Sequence, residues 1–184
     1  MKLSKEDKDI LLHYKNKPDE ADVRYKQIIK EKLLKNNRII YLLNNKTLAD
    51  SDAENDEYFG INILPFYLIH PVQTEVNNYI CFECSFTEEP RYNSALKVQQ
   101  IIFYILCNYK TVIEETTTCP RHDLLAAEII NDFQGCNDFG NQLKLISDRP
   151  YTTDNDFTMR TLVFEQITPN SLTDNKGRSF NLRK

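Results

Sequence analysis

Three cysteines lie close together in the segment CFECSFTEEPRYNSALKVQQIIFYILC, residues 81–107, and cysteine thiolates are common ligands of structural zinc. Cys81 and Cys84 have the Cys-x-x-Cys spacing, and Cys107 ends the segment. The residues around the pair, YICFECSF, alternate as a β-strand does, and side chains three positions apart on a strand leave opposite faces of the sheet. No second cysteine pair or His-x-x-x-His follows at zinc-finger spacing. The pattern therefore predicts packing cysteines, with Cys84 and Cys107 in the core.

The acidic segment DSDAENDE, residues 50–57, has Asp50, Asp52 and Glu54 at alternate positions, as a calcium-binding loop does. An EF-hand loop needs glycine at its sixth position and glutamate at its twelfth, and here these are Asn55 and Ile61. The segment predicts a solvated acidic linker. The four glycines form neither a G-x-G-x-x-G pattern nor a P-loop, and the sequence contains no G-x-S-x-G elbow.

The best candidate for catalysis is PRHD, residues 120–123, which groups Arg121, His122 and Asp123 near the start of a predicted helix. Charged residues in a first turn more often serve the electrostatics of the helix end. Glu128 and Asp132 share a face of the same helix at i,i+4, which suits a metal pair but fits a solvated helix face better. We therefore expect no catalytic, cofactor-binding or metal residues. The alternative is a small metal-dependent hydrolase or nuclease that uses Asp123, Glu128 and His122.

The first 46 residues predict two helices. Ser4 with Asp7 three residues later resembles a capping box, and a short apolar stripe of Ile10, Leu11 and Tyr14 follows it. Pro18 ends this helix and Asp19 caps the next. The second helix runs to about Asn36, and one of its faces holds Ala21, Tyr25, Ile28, Ile29 and Leu33. The run RIIYLL that comes next is consistent with either a continued helix or a short strand.

The remaining elements follow from residue 58 onward. The segment YFGINILPFYLIH is interrupted by Gly60 and Pro65, which indicates an edge strand or an irregular packed segment. Strand YICFECSF faces one side with Ile80, Phe82, Cys84 and Phe86. The run LKVQQIIFYILCNYK predicts a long strand, although a helix is the alternative, and its buried face is Ile101, Phe103, Ile105 and Cys107. Gln99, Glu83 and Arg160 are expected on a common polar face of the sheet.

One helix and two more strands complete the predicted body. In TTTCPRHDLLAAEIINDFQG, Thr118 or Cys119 is the expected cap, Pro120 lies in the first turn and Gly135 ends the helix. Its apolar stripe consists of Leu125, Ala126, Ile129, Ile130 and Phe133. NQLKLIS and FTMRTLVFEQIT follow as strands joined by the loop DRPYTTDND. The fold class is α+β, a mostly antiparallel β-β-α-β-β sheet with one helix packed on it, preceded by an N-terminal helical arm.

The charge distribution of the 184-residue chain changes at about residue 46, where the two predicted N-terminal helices give way to the rest of the chain. Residues 1–46 hold 12 Lys/Arg and 7 Asp/Glu, a net of +5, and residues 47–184 hold 11 and 20, a net of −9. The predicted organisation is a helical arm at 1–46, an acidic linker at 47–57, a body at 58–170 and a C-terminal arm at 171–184. A basic arm on an acidic body suits contact with an acidic protein partner or nucleic acid.

The body, from about Phe59 to Asn170, resembles the small α+β proteins that build the neck of tailed bacteriophages, the tail terminators and head-to-tail connector ring proteins. The resemblance lies in the order of YICFECSF, the loop EEPRYN, the strand KVQQIIFYILC, the helix RHDLLAAEIINDF and the closing pair LKLISDRP and DNDFTMRTLVFEQITPN. It covers roughly 60% of the chain. The helical N-terminal segment and the Lys/Arg tail depart from the minimal body of that family.

The resemblance implies a non-catalytic virion protein that is assembled in the host cytoplasm and forms a homo-oligomeric ring around the DNA channel. Its partners would be other copies of itself and neighbouring neck, portal or tail proteins, with passive contact to DNA, no membrane and no cofactor. A further alternative is an intracellular adaptor whose N-terminal helices bind an acidic partner.

Overall fold

A computed structural model describes residues 4–16, 21–51, 53–67, 76–87, 96–152 and 156–169. Five α-helices are present in these ranges: α1 (Lys5–Asn16), α2 (Ala21–Lys35), α3 (Asn37–Leu43), α4 (Lys46–Asp50) and α5 (Arg121–Phe133). The strands are β1 (Ile63–Leu64), β2 (Tyr79–Thr87), β3 (Leu96–Asn108), β4 (Lys144–Thr152) and β5 (Phe157–Pro169). Short 3-10 turns occupy Asn55–Tyr58 and Tyr109–Thr111. No helix in the described ranges has the length and apolar character to cross a membrane.

The strands form one five-stranded mixed sheet in the order β1-β2-β3-β5-β4. β2, β3, β5 and β4 pair antiparallel, whereas β1 adds to β2 in parallel through Ile63 and Leu64. The α+β class is confirmed, and the expected β-β-α-β-β order is compatible with the sheet once β1 is added. The long segment 96–108 is a strand and not a helix, because alternate β-branched and aromatic residues fit the middle of a sheet that buries one face.

The main core lies between this sheet and three of the helices. Ile101, Phe103, Ile105 and Cys107 of β3 are fully buried on the face that α5 covers, as their alternation predicts. The ring of Phe103 lies 4.9 Å from that of Phe133 in α5 and 5.8 Å from that of Phe164 in β5, measured between centroids. Aromatic pairs at such separations add to the free energy gained by burying their area.

Helices α2 and α3 pack into the same core as α5. Tyr25, Ile29 and Leu33 of α2 and Ile39 and Leu43 of α3 are buried in one cluster with the sheet residues. A boundary near residue 46 would therefore cut through this core, so the division into 1–46, 47–57, 58–170 and 171–184 stays a prediction for truncation to test. The expectation of one helix on the sheet was incomplete, because the apolar stripe of α2 also packs in the core between the helices and the sheet.

The run RIIYLL is helical and belongs to α3. Asn36 caps this helix with its side-chain oxygen, which accepts from the backbone N–H groups of Arg38 and Ile39. Asn44 ends it in the left-handed conformation, which asparagine tolerates better than most residues. Asn36 at its N-terminal end and Asn44 at its C-terminal end therefore limit α3 to seven residues.

The acidic segment 47–57 is not a polar linker in its described part. Lys46–Asp50 forms α4, capped by the buried Asn45, and Leu48 is buried. Asn55–Tyr58 forms a 3-10 turn whose Tyr58 also lies in the main core. One apolar side chain in each short element anchors it, and the described acidic residues of the segment, Asp50, Glu54, Asp56 and Glu57, remain at the surface.

Two other boundaries differ from the expectation. The N-cap of α5 is Pro120, one or two residues later than predicted, because Thr118 adopts a positive φ of 58° in the preceding turn. Strand β4 continues through SDRPYT, most of which was expected to be a loop, because these residues pair with β5 from Thr158 to Val163. The helix ends where predicted, with Gly135 in the left-handed region at φ 77°.

Several expectations fall on residues outside the described ranges. These are the cap at Asp19, the break at Pro18, the loop EEPRYN, part of YFGINILPFYLIH and the C-terminal arm at 171–184.

Candidate functional site

The three cysteines of the opening segment are distributed over two faces of the sheet. Cys84 packs partly buried against the main core and Cys107 lies within it. Cys81 is fully buried on the opposite face, in a small cluster with Leu64 and Leu106. Its burial on that second face was not anticipated, because alternation tells which face a side chain takes but not whether both faces are covered. Among the described residues, no three His, Cys, Asp or Glu side chains come together as metal ligands.

The PRHD segment forms the first turn of α5 and meets the ends of β4 and β5. Arg160 of β5 donates from Nε and Nη2 to the two carboxylate oxygens of Asp148 in β4, both at 2.7 Å. Its Nη1 donates to Asp123 of α5. His122 has Nε2 3.3 Å from the same Asp123 oxygen and Nδ1 3.4 Å from the hydroxyl of Thr158. One arginine therefore joins two strands to the helix that lies above them.

This arrangement favours fixed charges over proton transfer. The two carboxylates raise the pKa of Arg160, chiefly because Arg160 donates hydrogen bonds to Asp148. Burial lowers the pKa of His122 from its ordinary value, and the nearby Asp123 only partly offsets this, so the ring stays neutral around pH 7. Asp123 is engaged by Arg160, and the Cys107 thiol nearby is buried with its pKa strongly raised, which makes it a poor nucleophile. The residues can orient α5 on the sheet.

The residues of the enzymatic alternative are not brought together. Glu128 lies more than a turn beyond Asp123, where its carboxylate pairs with Arg38 at 2.8 Å. The amide nitrogen of Asn36 donates to Glu128 at 3.1 Å and to Asp132 at 2.7 Å. The pair was expected on a solvated face, yet both side chains bind the start of α3, because α3 packs across this face of α5. Replacing Glu128 or Asp132 is therefore expected to weaken the α3–α5 contact and not to be silent.

Glu114 was not singled out from the sequence, although it is buried and organises the loop before α5. Its Oε1 accepts from the Tyr41 hydroxyl at 2.8 Å and from the backbone N–H of Thr116 at 3.0 Å. Its Oε2 accepts from the backbone N–H and hydroxyl of Thr117 at 2.6 and 2.7 Å. These bonds, led by that from the Thr116 N–H, hold the pKa of Glu114 well below its usual range. A carboxylate followed by threonines in EETTT is the local signal for such a turn.

Arg121 is a buried cation, with 5% of its surface exposed. Its Cζ lies 5.6 Å from the centre of the Tyr41 ring, a cation–π contact. Its Nε and Nη1 have no hydrogen-bond acceptor among the described residues. Arg121 was expected to serve the electrostatics of the helix end, and the structure places its guanidinium against Tyr41 of α3.

The face of the sheet opposite the helices is partly exposed in the described ranges. On the two central strands this face carries Ile102, Tyr104, Met159, Val163 and Ile167, with the polar Gln100, Thr161 and Glu165 between them. We call this set the open sheet face. Ile167 is 56% exposed, whereas Tyr67 covers Tyr104, with ring centroids 4.7 Å apart, and its hydroxyl lies 3.8 Å from the sulfur of Met159. Sheets of this kind bury an apolar face against another layer, and α2, α3 and α5 pack on the other side.

The predicted polar face does not exist as such. Glu83 lies on the open sheet face side of β2, whereas Gln99 and Arg160 lie on the side that the helices cover. Gln99 is buried, and its amide donates to the backbone oxygen of Ser85 at 2.8 Å. Strand parity separates these residues, because the pairing register sets Gln99 opposite Gln166 and Arg160 opposite Ile105.

The acidic residues of the calcium hypothesis remain at the surface. Asp50 and Glu54 are exposed, and Glu54 instead accepts within the 3-10 turn through a capping box with Glu57. Asp52 lies outside the described ranges.

Comparison with known families decides the affiliation of this chain. The sequence profile of the YomW family matches residues 36–166, which is more than two thirds of the chain. The chain belongs to the YomW family. The family name is typical of proteins from phage regions of Bacillus genomes and indicates a phage-associated protein. The YomW match begins at the cap of α3 and ends in β5, so it includes the α3–α5 contact and the whole ion-pair group of Arg160. No curated protein matches the chain.

Proposed function

We propose that this YomW-family chain is a non-catalytic structural protein of a phage particle, a subunit of an oligomeric ring in the neck between head and tail. The observation that carries the proposal is the open sheet face. An apolar sheet face that the described part of its own chain leaves uncovered is a typical association surface. The occupant we propose is a second copy of the same chain.

Membership of a family whose name is typical of phage-region proteins supports the phage setting. The order of strands and helix that resembles neck proteins supports the position in the particle. The fixed ion-pair network of Arg160 supports a mechanical role, since it joins α5 to β4 and β5 with charged groups already paired. Tail terminator and head-to-tail connector are both rings of this kind, and a subunit joined to its neighbours head to tail forms a closed ring when the rotation closes.

The test measures assembly of the full chain by size-exclusion chromatography with light scattering, and its presence in purified phage particles by mass spectrometry. We expect a ring-sized oligomer for the wild type and a monomer for Ile167→Asp, which places a charge on the open sheet face. Ile113→Asp is the matched control, because Ile113 is 52% exposed but lies on the loop before α5. A wild type that stays monomeric and is absent from particles contradicts the proposal.

A further inference from the structure

Arg121 is a buried cation without a counter-ion among the described residues. It is 5% exposed, and neither its Nε nor its Nη1 has a hydrogen-bond acceptor. Its guanidinium lies over the face of the Tyr41 ring, with Cζ 5.6 Å from the ring centre. Burying a charge is costly unless it is paired and hydrogen-bonded, so an arginine in this state lacks the partner for which its geometry is suited.

The carboxylates nearest in the fold are already engaged. Glu114 accepts four hydrogen bonds, from Tyr41, Thr116 and Thr117. Asp123 accepts from Arg160, and both oxygens of Asp148 are held by the same arginine. None of these groups can turn to Arg121 without breaking an existing bond. No carboxylate among the described residues accepts from Nε or Nη1 of Arg121.

The surroundings of Arg121 favour an anion. It is the first residue of α5, a helix of 13 residues, and the N-terminal end of a helix carries a partial positive charge. The backbone N–H of Arg121 already donates to the carbonyl of Val112 at 2.6 Å, so the donors left for a ligand are those of the guanidinium. The N-cap is Pro120, which supplies no side-chain acceptor for the first turn. His122 in the same turn is neutral or positive and adds no negative charge. A guanidinium also presents paired N–H groups that match two oxygens of a phosphate or a carboxylate.

We propose that Arg121 and the first turn of α5 form a binding site for an oxyanion, a phosphate or a carboxylate group, with Tyr41 as its movable cover. Tyr41 is 59% exposed, and its ring lies over the guanidinium. Its described hydrogen bond is the one from its hydroxyl to Glu114. Rotation of this side chain opens Arg121 to solvent without moving a helix or strand. The site is independent of the ring function, because it lies on the helix side of the sheet.

The experiment uses the full chain and measures the midpoint of thermal unfolding in inorganic phosphate, in acetate and in chloride at equal ionic strength. We expect phosphate to raise the Tm of the wild type above its value in chloride, and not to raise that of Arg121→Met. Arg149→Met is the matched control, since Arg149 is exposed on β4, and it should respond as the wild type does. A rise in acetate as well identifies a general oxyanion site that accepts carboxylates, whereas a rise in phosphate alone identifies a phosphate site.

A second measurement covers the case in which Arg121→Met does not fold. The Nε–H signal of Arg121 in the ¹⁵N spectrum, assigned by its loss in Arg121→Lys, should move in proportion to bound phosphate. Arg121→Lys retains the charge but not the planar fork, so its Tm should rise less than that of the wild type. Equal Tm in all three anions for the wild type, an equal rise in Arg121→Met, or an Nε–H signal that phosphate does not move would overturn the proposal. Each of these results leaves the ring hypothesis untouched.

Discussion

At the scale of single residues, the buried carboxylate of Glu114 shows how one side chain fixes several others. It accepts from two backbone N–H groups and a hydroxyl of its own turn, and from Tyr41 in α3. Hydrogen bonds to an ionised carboxylate are stronger than those between neutral groups. The loop that leads into α5 therefore depends on the charge state of Glu114.

The pH dependence of stability follows from this contact. A carboxyl group whose pKa is depressed in the folded state stabilises that state above its unfolded pKa of about 4.3, and loses this contribution as the pH falls through the folded pKa. Glu114 has a depressed pKa in the fold. We expect Glu114→Gln to lower the Tm at pH 7, with the difference from the wild type shrinking below about pH 4. Thermal unfolding between pH 2 and 8 measures this.

Glu115→Gln is the control for this prediction, because Glu115 is the exposed neighbour of Glu114. Its Tm should follow that of the wild type at every pH. A Glu114→Gln variant with the same difference at pH 3 as at pH 7 would show that shape, and not charge, is what matters at this position.

The cysteine pair allows a second prediction at this scale. Cys81 is fully buried and Cys84 only partly, which reverses the order of sensitivity expected from alternation alone. We expect Cys81→Ser to reduce the free energy of unfolding by about 1 kcal/mol or more, since a buried hydroxyl needs a partner, and Cys84→Ser to cost less. Urea denaturation provides both values. The prediction that neither variant changes metal content stands beside it, and stoichiometric zinc lost in either variant would contradict it.

At the scale of elements, α5 owes its position to a seam of side chains against β3 and β5. Ala126 and Ile129 are 1% and 0% exposed, and Phe133 contacts the rings of Phe103 and Phe164. Beyond the Arg160–Asp123 pair the seam is apolar from Leu125 to Phe133, so a charge introduced at Ala126 or Ile129 is buried among apolar side chains. Another side of α5 is polar, because Glu128 and Asp132 accept hydrogen bonds there from Asn36 at the start of α3.

Ala126→Asp is expected to prevent folding, because an unpaired buried charge costs several kcal/mol out of a total of about 5–15 kcal/mol. Ile129→Asp should do the same. Ala127→Asp is the matched control, as it adds the same group one position along the helix on an exposed site. Circular dichroism and soluble yield distinguish the variants. A folded Ala126→Asp protein would mean that α5 does not pack on the sheet as described.

At the scale of the whole molecule, the N-terminal helices differ in how strongly they belong to the fold. The described side chains of α1 are exposed, including Ile10, Leu11 and Leu12. By contrast, the Tyr25 hydroxyl of α2 donates to the backbone oxygen of Phe139 and accepts from Gln166 of β5, and it lies within the main core. Residues 1–46, with their net charge of +5, therefore include an exposed helix, α1, and a helix that is part of the main core, α2.

Two truncations distinguish the exposed helix α1 from the helices that belong to the main core. Removal of residues 1–16 should leave a folded protein with little change in the free energy of unfolding. Removal of residues 1–46 should unfold it, because it strips Ile29, Leu33 and Ile39 from the main core, and burial of each such side chain is worth about 1.5–3 kcal/mol. Thermal unfolding of both proteins decides the matter. A folded product lacking residues 1–46 would instead support the division at 46 that charge suggests.

The sequence by itself determined the elements whose pattern is long. The alternation of β3, the stripe of α5 with its glycine stop, and the Ser4–Asp7 cap are local properties of a periodic backbone, and the structure has each of them. It also determined that Cys81 and Cys84 lie on opposite faces, since strand parity follows from spacing alone.

Only the tertiary structure decided which of these surfaces meet. Arg160 and Asp148 pair across a hairpin, and Asn36 reaches Glu128 over 92 positions of the chain, which no local pattern encodes. The burial of α2 and α3, and hence of Arg121 beneath Tyr41, depends on how separate helices share one face of a sheet. Such long-range packing depends on how whole elements fit together. A local sequence pattern shows which face of a helix or strand is apolar, but not which other element covers that face.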